Sequence, residues 1–205
     1  MSWKDEEFDN PYDLPGPTKE EIRALTLAKA DVEMEDRVAD VGCGTGAIAI
    51  EAARLVGPKG RVFAIDFDSR AVETTMINVR KFGMEGRVKI IKGDGVEVLR
   101  SGGLSPLDAI MIGGSWGKEG GREKRVEELI SSSRQALSMG GRIVVNCVTL
   151  ETGFAAFRSM KSLFDEVDAT LAIIAKGKEL GSSTLMIARN PVLILCSVRS
   201  EDHGK

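Results

Sequence analysis

The chain of 205 residues contains one histidine, His203, set in a polar tail, EDHGK. A single terminal histidine builds neither a metal cluster nor a catalytic triad, and its setting is that of a solvated tail residue. The three cysteines, Cys43, Cys147 and Cys196, are far apart and form no C-x-x-C pair. That argues against a disulfide framework and against a thiolate metal site, so no protein-bound metal is expected. No apolar run approaches the ~18 residues that span a bilayer. The net charge of −3 supplies no global basic field for nucleic acid. The first residues, MSWKDEEFDN, are acidic and polar, the reverse of a secretory signal. The expectation is a cytoplasmic protein without membrane or nucleic-acid partners. What is present is an ordinary globular balance, 42% hydrophobic and 29% charged residues, enough for one α/β domain over residues 1–205.

Residues 1–17 are charged and proline-rich, with Pro11, Pro15 and Pro17 leaving little room for a helix. Thr18 and Glu21 make a T-x-x-E capping box ahead of Ile22 and Leu25, which predicts a helix starting at Thr18. From Arg37 onward strand and helix patterns alternate. Strands are predicted at 37–41, 61–65, 88–92, 107–112 and 142–148, with helices at about 45–56, through Val72, Met76, Val79 and Phe82, and near 96–100. A further helix carries Val126, Leu129, Ile130, Ser133 and Leu137 on one face and ends at Gly140-Gly141. Such alternation implies a parallel, doubly wound sheet. After a helix around 152–164, two strand-like runs, 167–176 and 184–198, follow without an intervening helix. Joined by the loop GKELGS, they should pair antiparallel. Pro191 interrupts the second run and predicts a bulge or two short strands.

DVGCGTG, Asp40 to Gly46, joins the first strand to its helix. Three glycines at every second position let backbone approach a ligand closely, and the first free N–H groups of the helix point at what binds there. Two cofactor classes use such a turn. The dinucleotide fingerprint is met only by forcing Gly42, Gly44 and Ala47 into it. The (D/E)-x-G-x-G-x-G loop of S-adenosylmethionine-dependent methyltransferases is met in full by Asp40, Gly42, Gly44 and Gly46. Asp40 is placed to meet a ligand's ammonium, directly or through water. Both classes end strand two on an acid that grips ribose hydroxyls, and Asp66 stands there. Gly93-Asp94 ends strand three, where the methyltransferase fold meets the adenine edge. The antiparallel close of the chain also favours the methyltransferase, a Rossmann-like class I fold.

Further segments narrow the family. PGPTKEEIRAL ahead of the glycine loop, IGGSWG after strand four, VTLET after strand five and GSSTLMIARNPV near the end occur in this order. Together they resemble the decarboxylating cobalt-precorrin-6B C(15)-methyltransferases of anaerobic cobalamin biosynthesis, over nearly the whole chain. The resemblance implies S-adenosylmethionine as methyl donor and a polycarboxylate tetrapyrrole as small-molecule substrate. It implies Thr18 beside the donor, Gly42, Cys43, Gly44, Thr45 and Gly46 around its methionine and ribose, Asp66 on the ribose hydroxyls and Gly95 against the adenine. Thr18 read by itself is a helix N-cap. The resemblance also implies a homo-oligomer, a tetramer, with the C-terminal hairpin as a contact.

The methyl group departs from a sulfonium, so catalysis is expected to be mostly placement. The macrocycle can act as electron sink for decarboxylation, and no catalytic side chain is singled out. Lys118, Arg122, Lys124, Arg125, Arg142, Lys176, Lys178 and Arg189 are candidates to meet substrate carboxylates. Trp116 either lines the acceptor pocket or covers a core edge. Asn190-Pro191 lacks the second proline and aromatic of amino-group methyltransferases, which argues against base flipping. Alternatives within the fold are an RNA or isoaspartyl-protein methyltransferase. Outside catalysis, a non-catalytic S-adenosylmethionine-binding subunit is the alternative.

Overall fold

A computed structural model describes residues 2–114 and 121–201. Its elements in chain order are α1 (Glu20–Ala30), β1 (Arg37–Val41), α2 (Ala47–Leu55), β2 (Arg61–Asp66), α3 (Ser69–Lys81), β3 (Val88–Lys92), α4 (Gly95–Arg100) and β4 (Leu107–Gly113). Then come α5 (Arg122–Ala136), β5 (Leu137–Cys147), α6 (Leu150–Leu163), β6 (Asp168–Ala172), β7 (Ala175–Leu180), β8 (Ser183–Ala188) and β9 (Val192–Val198). The main sheet has seven strands in the order β3-β2-β1-β4-β5-β9-β6. The first five are parallel, and β9 pairs antiparallel with both β5 and β6. This is the expected mostly parallel, doubly wound sheet with an antiparallel C-terminal end.

Period-two alternation divides the core between the sheet's two faces. Val38 packs with Ile22, Leu27, Ile50 and Val79 from α1, α2 and α3. Its neighbours Ala39 and Val41 join Leu99, Leu129, Ile130 and Met160 from α4, α5 and α6. Each fully buried Leu or Ile contributes about 1.5–3 kcal/mol. After β3 the chain crosses back to lay β4 on the other side of β1. The C-terminal ends of β1 and β4 therefore flank the point where strand order reverses, the place where such sheets bind ligands.

Several sequence expectations need correction. The Thr18–Glu21 capping box does not form: α1 begins at Glu20 with Lys19 at the N-cap position and no side-chain cap. Asp5 accepts the Glu20 amide instead, at 2.8 Å across 15 residues, so a carboxylate from the N-terminal segment caps the helix. That segment also holds a short turn of 3-10 helix, Asp5–Glu7, and buries Phe8 and Leu14. In α3, Met76 is 39% exposed, while Thr74, Thr75 and Asn78 are buried. The buried face is rotated because the glycine loop needs donors, as described below.

Leu137 does not extend α5 but opens β5, and Gly140-Gly141 lies within that strand rather than ending the helix. The register with β4 jumps from Leu107–Leu137 to Ala109–Arg142. Gly140 at φ 79° accommodates the excursion.

At the chain's end the two predicted runs pair antiparallel, and each run divides. β6 and β9 lie in the main sheet, while β7 and β8 form a separate two-stranded ribbon. Most of the expected GKELGS loop is strand, and the turn shrinks to Gly181 and Ser182, with Gly181 at φ 61°. Pro191 stands where the chain passes from ribbon to sheet, so the interruption gives two strands.

Candidate active site

The glycine loop leaves the C-terminal end of β1. Gly42, Gly44 and Gly46 have φ of 79°, 57° and 79°, a region where side chains cost energy. A Cβ on Gly46 would lie 2.8 Å from Thr75 Cγ2, whereas one on Gly44 would meet only the Pro15 carbonyl, at 3.8 Å. Gly46 is thus a packing glycine, and Gly44 presents bare backbone to open space.

Neighbouring strands and α3 hold the loop in shape. The Gly42 and Cys43 amides donate to the Ile65 carbonyl at 2.8 and 3.2 Å. Thr75 Oγ1 donates to the Gly44 carbonyl at 2.9 Å, and Asn78 Nδ2 donates to the Thr45 carbonyl at 2.9 Å. This explains the polar buried face of α3: an uncovered loop carbonyl costs about 1–3 kcal/mol. The side chains of Cys43 and Thr45 are themselves buried. Cys43 Sγ lies 3.4 Å from Thr75 Oγ1, and burial holds its thiol pKa well above the ordinary value.

Two carboxylates complete the loop. Asp40, 2% exposed, accepts the Ala49 amide at 3.0 Å and so satisfies one first-turn donor of α2. Burial raises its pKa to about 7, and the nearby Asp66 charge adds to the shift. Asp66 accepts the Gly44 amide at 3.1 Å on one oxygen and the Asp68 amide at 3.0 Å on the other. Each carboxylate oxygen has a further lone pair.

Gly95 opens α4 behind Asp94, whose Oδ1 accepts the Val96 and Glu97 amides at 2.9 and 3.2 Å. A Cβ on Gly95 would sit 2.6 Å from Val41 Cγ1, so close packing alone requires glycine here. Asp94 also pairs with Arg125 of α5. Burial of Asp94 raises its pKa, but Arg125 and the two amides outweigh that and lower it overall.

The segment 15–18 lies over the loop. The Pro15 carbonyl approaches Gly44, and Gly16 adjoins Thr45. Thr18 is half-buried, and its carbonyl accepts a bond from Arg23. The Thr18 segment and the glycine loop are thus brought together, as are Asp66 and Gly44.

The expected carboxylate anchors are not all brought together. Arg142 sits toward the opposite edge of the sheet and pairs with Asp31 at 3.0 Å. Lys176 and Arg189 pair with Glu21 at 2.7 and 2.8 Å, and Lys178 stands on the exposed ribbon. Trp116 and Lys118 fall outside the described residues. A groove of about 730 Å³ opens between the N-terminal turns of α5 and α6, lined by Arg122, Lys124, Glu123, Glu127, Glu151 and Phe154 among others. Three carboxylates face two cations there, so these side chains give a polyanion no net attraction. Sequence reasoning missed Arg23, Glu51, Thr75 and Asn78. The last two carried a signal: buried-pattern positions on α3 occupied by hydrogen-bonding side chains.

Comparison with known proteins gives the family. Residues 13–199 match the family model described as precorrin methyltransferase domain. A probable cobalt-precorrin-6B C(15)-methyltransferase (decarboxylating) of Saccharolobus solfataricus is 41% identical over 189 residues, covering 92% of this chain and 90% of that protein. Its namesake in Methanothermobacter thermautotrophicus is 35% identical, covering 93% of each. The crystal structure of a precorrin-8W decarboxylase from Methanobacterium thermoautotrophicum superposes with a TM-score of 0.86 at 34% identity, covering 95% of this chain and 98% of that one. A precorrin-6Y C5,15-methyltransferase from Geobacter metallireducens superposes with a TM-score of 0.83 at 30% identity, covering 97% and 98%. The chain belongs to the precorrin methyltransferase family.

Proposed function

We propose that this chain transfers a methyl group from S-adenosylmethionine to carbon 15 of a cobalt-precorrin, with loss of an acetate carboxyl, in anaerobic cobalamin biosynthesis. Family membership supports the reaction class. One geometric observation carries the donor site: the Asp66 carboxylate bonded to the Gly44 amide at the C-terminal edge of β1 and β2. Bare backbone at Gly44 with an acceptor carboxylate bonded beside it fits a nucleoside.

When bound, S-adenosylmethionine supplies a methyl group already activated on a sulfonium. The chain's residues bind, orient and shield. Asp66 accepts the ribose hydroxyls on its remaining lone pairs. The backbone of Gly42, Cys43, Gly44, Thr45 and Gly46 lines the methionine and ribose, with Asp40 at the loop's base. The Gly95 backbone borders the adenine, and Thr18 and Pro15 roof the loop and exclude water. Correct placement of the acceptor contributes roughly 7–11 kcal/mol to such a reaction. The substrate's conjugated ring takes up the electron pair left by carbon dioxide, so no protein acid or base is assigned. Among the described residues no group of acids, histidines or cysteines is arranged to hold a metal.

The protein acts in the cytoplasm as a homo-oligomer, a tetramer, joined through the β7–β8 ribbon. Leu180, Leu185 and Met186 are exposed on that ribbon, and grouped exposed apolar side chains mark an interaction surface. Calorimetry with S-adenosylhomocysteine, and separately with NAD, tests the donor class. Methyl incorporation into a cobalt-precorrin and release of labelled carbon dioxide then test the two half-reactions. Binding of NAD in place of S-adenosylhomocysteine would overturn the proposal.

A further inference from the structure

Arg23 is a fully buried cation, 0% exposed, on α1. Its guanidinium spends its donors on four groups from three parts of the chain. Nε bonds Glu51 of α2 at 2.8 Å, and Nη1 bonds Asp5 at 2.8 Å. Nη1 also reaches the Thr18 carbonyl, and Nη2 the Trp3 carbonyl. Glu51 is 2% exposed and belongs to the helix that the glycine loop opens into. One planar cation therefore ties the N-terminal segment to the helix behind the loop at two carbonyls and two carboxylates.

The network continues outward. Arg189, in the link between β8 and β9, bonds Glu21 at 2.8 Å and lies 3.4 Å from the same Asp5. Its amide donates to the Ile174 carbonyl at 2.8 Å, so it sits where the chain enters and leaves the ribbon. Lys176 of β7 adds Glu21 at 2.7 Å and Glu20 at 3.5 Å. Burial raises the Glu21 pKa, but Lys176, its own helix-terminal amide and Arg189 outweigh this and lower it, which keeps the carboxylate ionised. Asp5 is shared by the outer and inner cations and also caps α1.

We propose that Arg23 and Arg189 are positioning residues for methyl transfer: through Asp5 and Glu21 they clamp the 15–18 segment onto the cofactor loop, so that cofactor affinity depends on the base of the β7–β8 ribbon. Neither residue is assigned contact with the donor. The clamp's outer half is partly solvated and salt-sensitive, whereas its inner half is buried. This rests on the loop being the donor site, and the test separates the two claims.

The full-length chain is compared with Arg189→Met, Arg189→Lys and Arg23→Lys. Lys59→Met serves as control, since it breaks only the exposed Lys59–Glu35 pair. Arg189→Met should weaken S-adenosylhomocysteine binding roughly tenfold, equivalent to about 1.4 kcal/mol, as suits a charge pair only partly withdrawn from water. The change should fall on the donor's KM rather than on kcat, with faster amide exchange in residues 2–18. Arg189→Lys should recover most of it, and high salt should weaken the wild type while barely affecting Arg189→Met. A lowered Tm with wild-type affinity, exchange and salt response in Arg189→Met would overturn the proposal and leave the cluster a structural one. Because Arg189 lies at the rim, this comparison decides the matter even if Arg23→Lys fails to fold. Failure of the wild type itself to bind S-adenosylhomocysteine would instead sink the functional assignment.

Discussion

Asp66 and Gly44 are joined by a 3.1 Å hydrogen bond from the glycine's amide to the carboxylate. The acid that ends the second strand therefore shapes the turn that follows the first. A ligand held by both is held by one rigid unit. Asp66→Ala strips partners from the Gly44 and Asp68 amides and removes the acceptor for hydroxyls. Binding of S-adenosylhomocysteine should fall about a hundredfold, equivalent to about 2.8 kcal/mol. Asp66→Asn, which keeps one acceptor oxygen, should lose less. Calorimetry reads both, and undiminished affinity in Asp66→Ala would remove the donor site from this loop.

Asp40 gives a pH signature. Burial raises its folded-state pKa to about 7 from an ordinary value of 3.8. With a raised carboxylate pKa, the unfolded chain loses the proton first as pH rises. This group's contribution to stability is therefore full below about pH 4 and gone above about pH 7, a span worth on the order of 4 kcal/mol. The ligand-free protein should become more stable on mild acidification through this window, and Asp40→Asn should flatten the trend. S-adenosylmethionine carries an ammonium that favours the ionised carboxylate, so its affinity should rise with pH through about 7 and its binding should release a proton below that. Thermal unfolding and calorimetry in two buffers check the pair of trends.

Thr75 supplies the donor to the Gly44 carbonyl. Thr75→Val keeps the shape and leaves that carbonyl without a partner, at a cost of about 1–3 kcal/mol. Thr75→Ser should restore most of it. Urea unfolding gives the stability change, and the same variants should rank alike in donor affinity.

Gly95→Ala places a methyl group 2.6 Å from Val41 Cγ1. Overpacking of this kind costs about 1–3 kcal/mol. The double variant Gly95→Ala with Val41→Ala should regain stability relative to the single one. If adenine is met through backbone, the double variant should also bind S-adenosylhomocysteine nearly as the wild type does. A Tm for Gly95→Ala equal to that of the wild type would contradict the packing.

The ribbon's exposed residues predict assembly. Met186→Glu, on a strand exposed along its length, should lower the mass measured by light scattering. It should leave Tm within a few degrees, because the side chain takes no part in either core cluster. An unchanged mass would place the subunit contact elsewhere.

The sheet was legible from sequence because its signal is local: alternating strand and helix periods and glycine turns mark each crossover without reference to the rest of the chain. The loop and Asp66 were legible for the same reason, since both sit at fixed offsets from strand ends. The rest depends on partners far apart in sequence. Asp5 replaces Thr18 as the helix cap from 15 residues away. Arg23 meets Glu51 across 28, and no local pattern announces either. Thr75 and Asn78 interrupt an apolar stripe to answer loop carbonyls, so periodicity alone set the face of α3 wrongly at Met76. The ribbon, exposed along both strands in the single chain, shows no burial pattern by which its ends could be told from those of the sheet strands.

Ala172 and Val192 face each other across the β6–β9 ladder, so the chain departs for the ribbon and comes home at almost the same point. Everything between them is an appendix on a closed hydrogen-bonded seam. Because that seam and the Arg189 and Lys176 pairs with Glu21 fix its base, change at the ribbon's tip, Gly181, stays remote from the half of the sheet that carries the glycine loop.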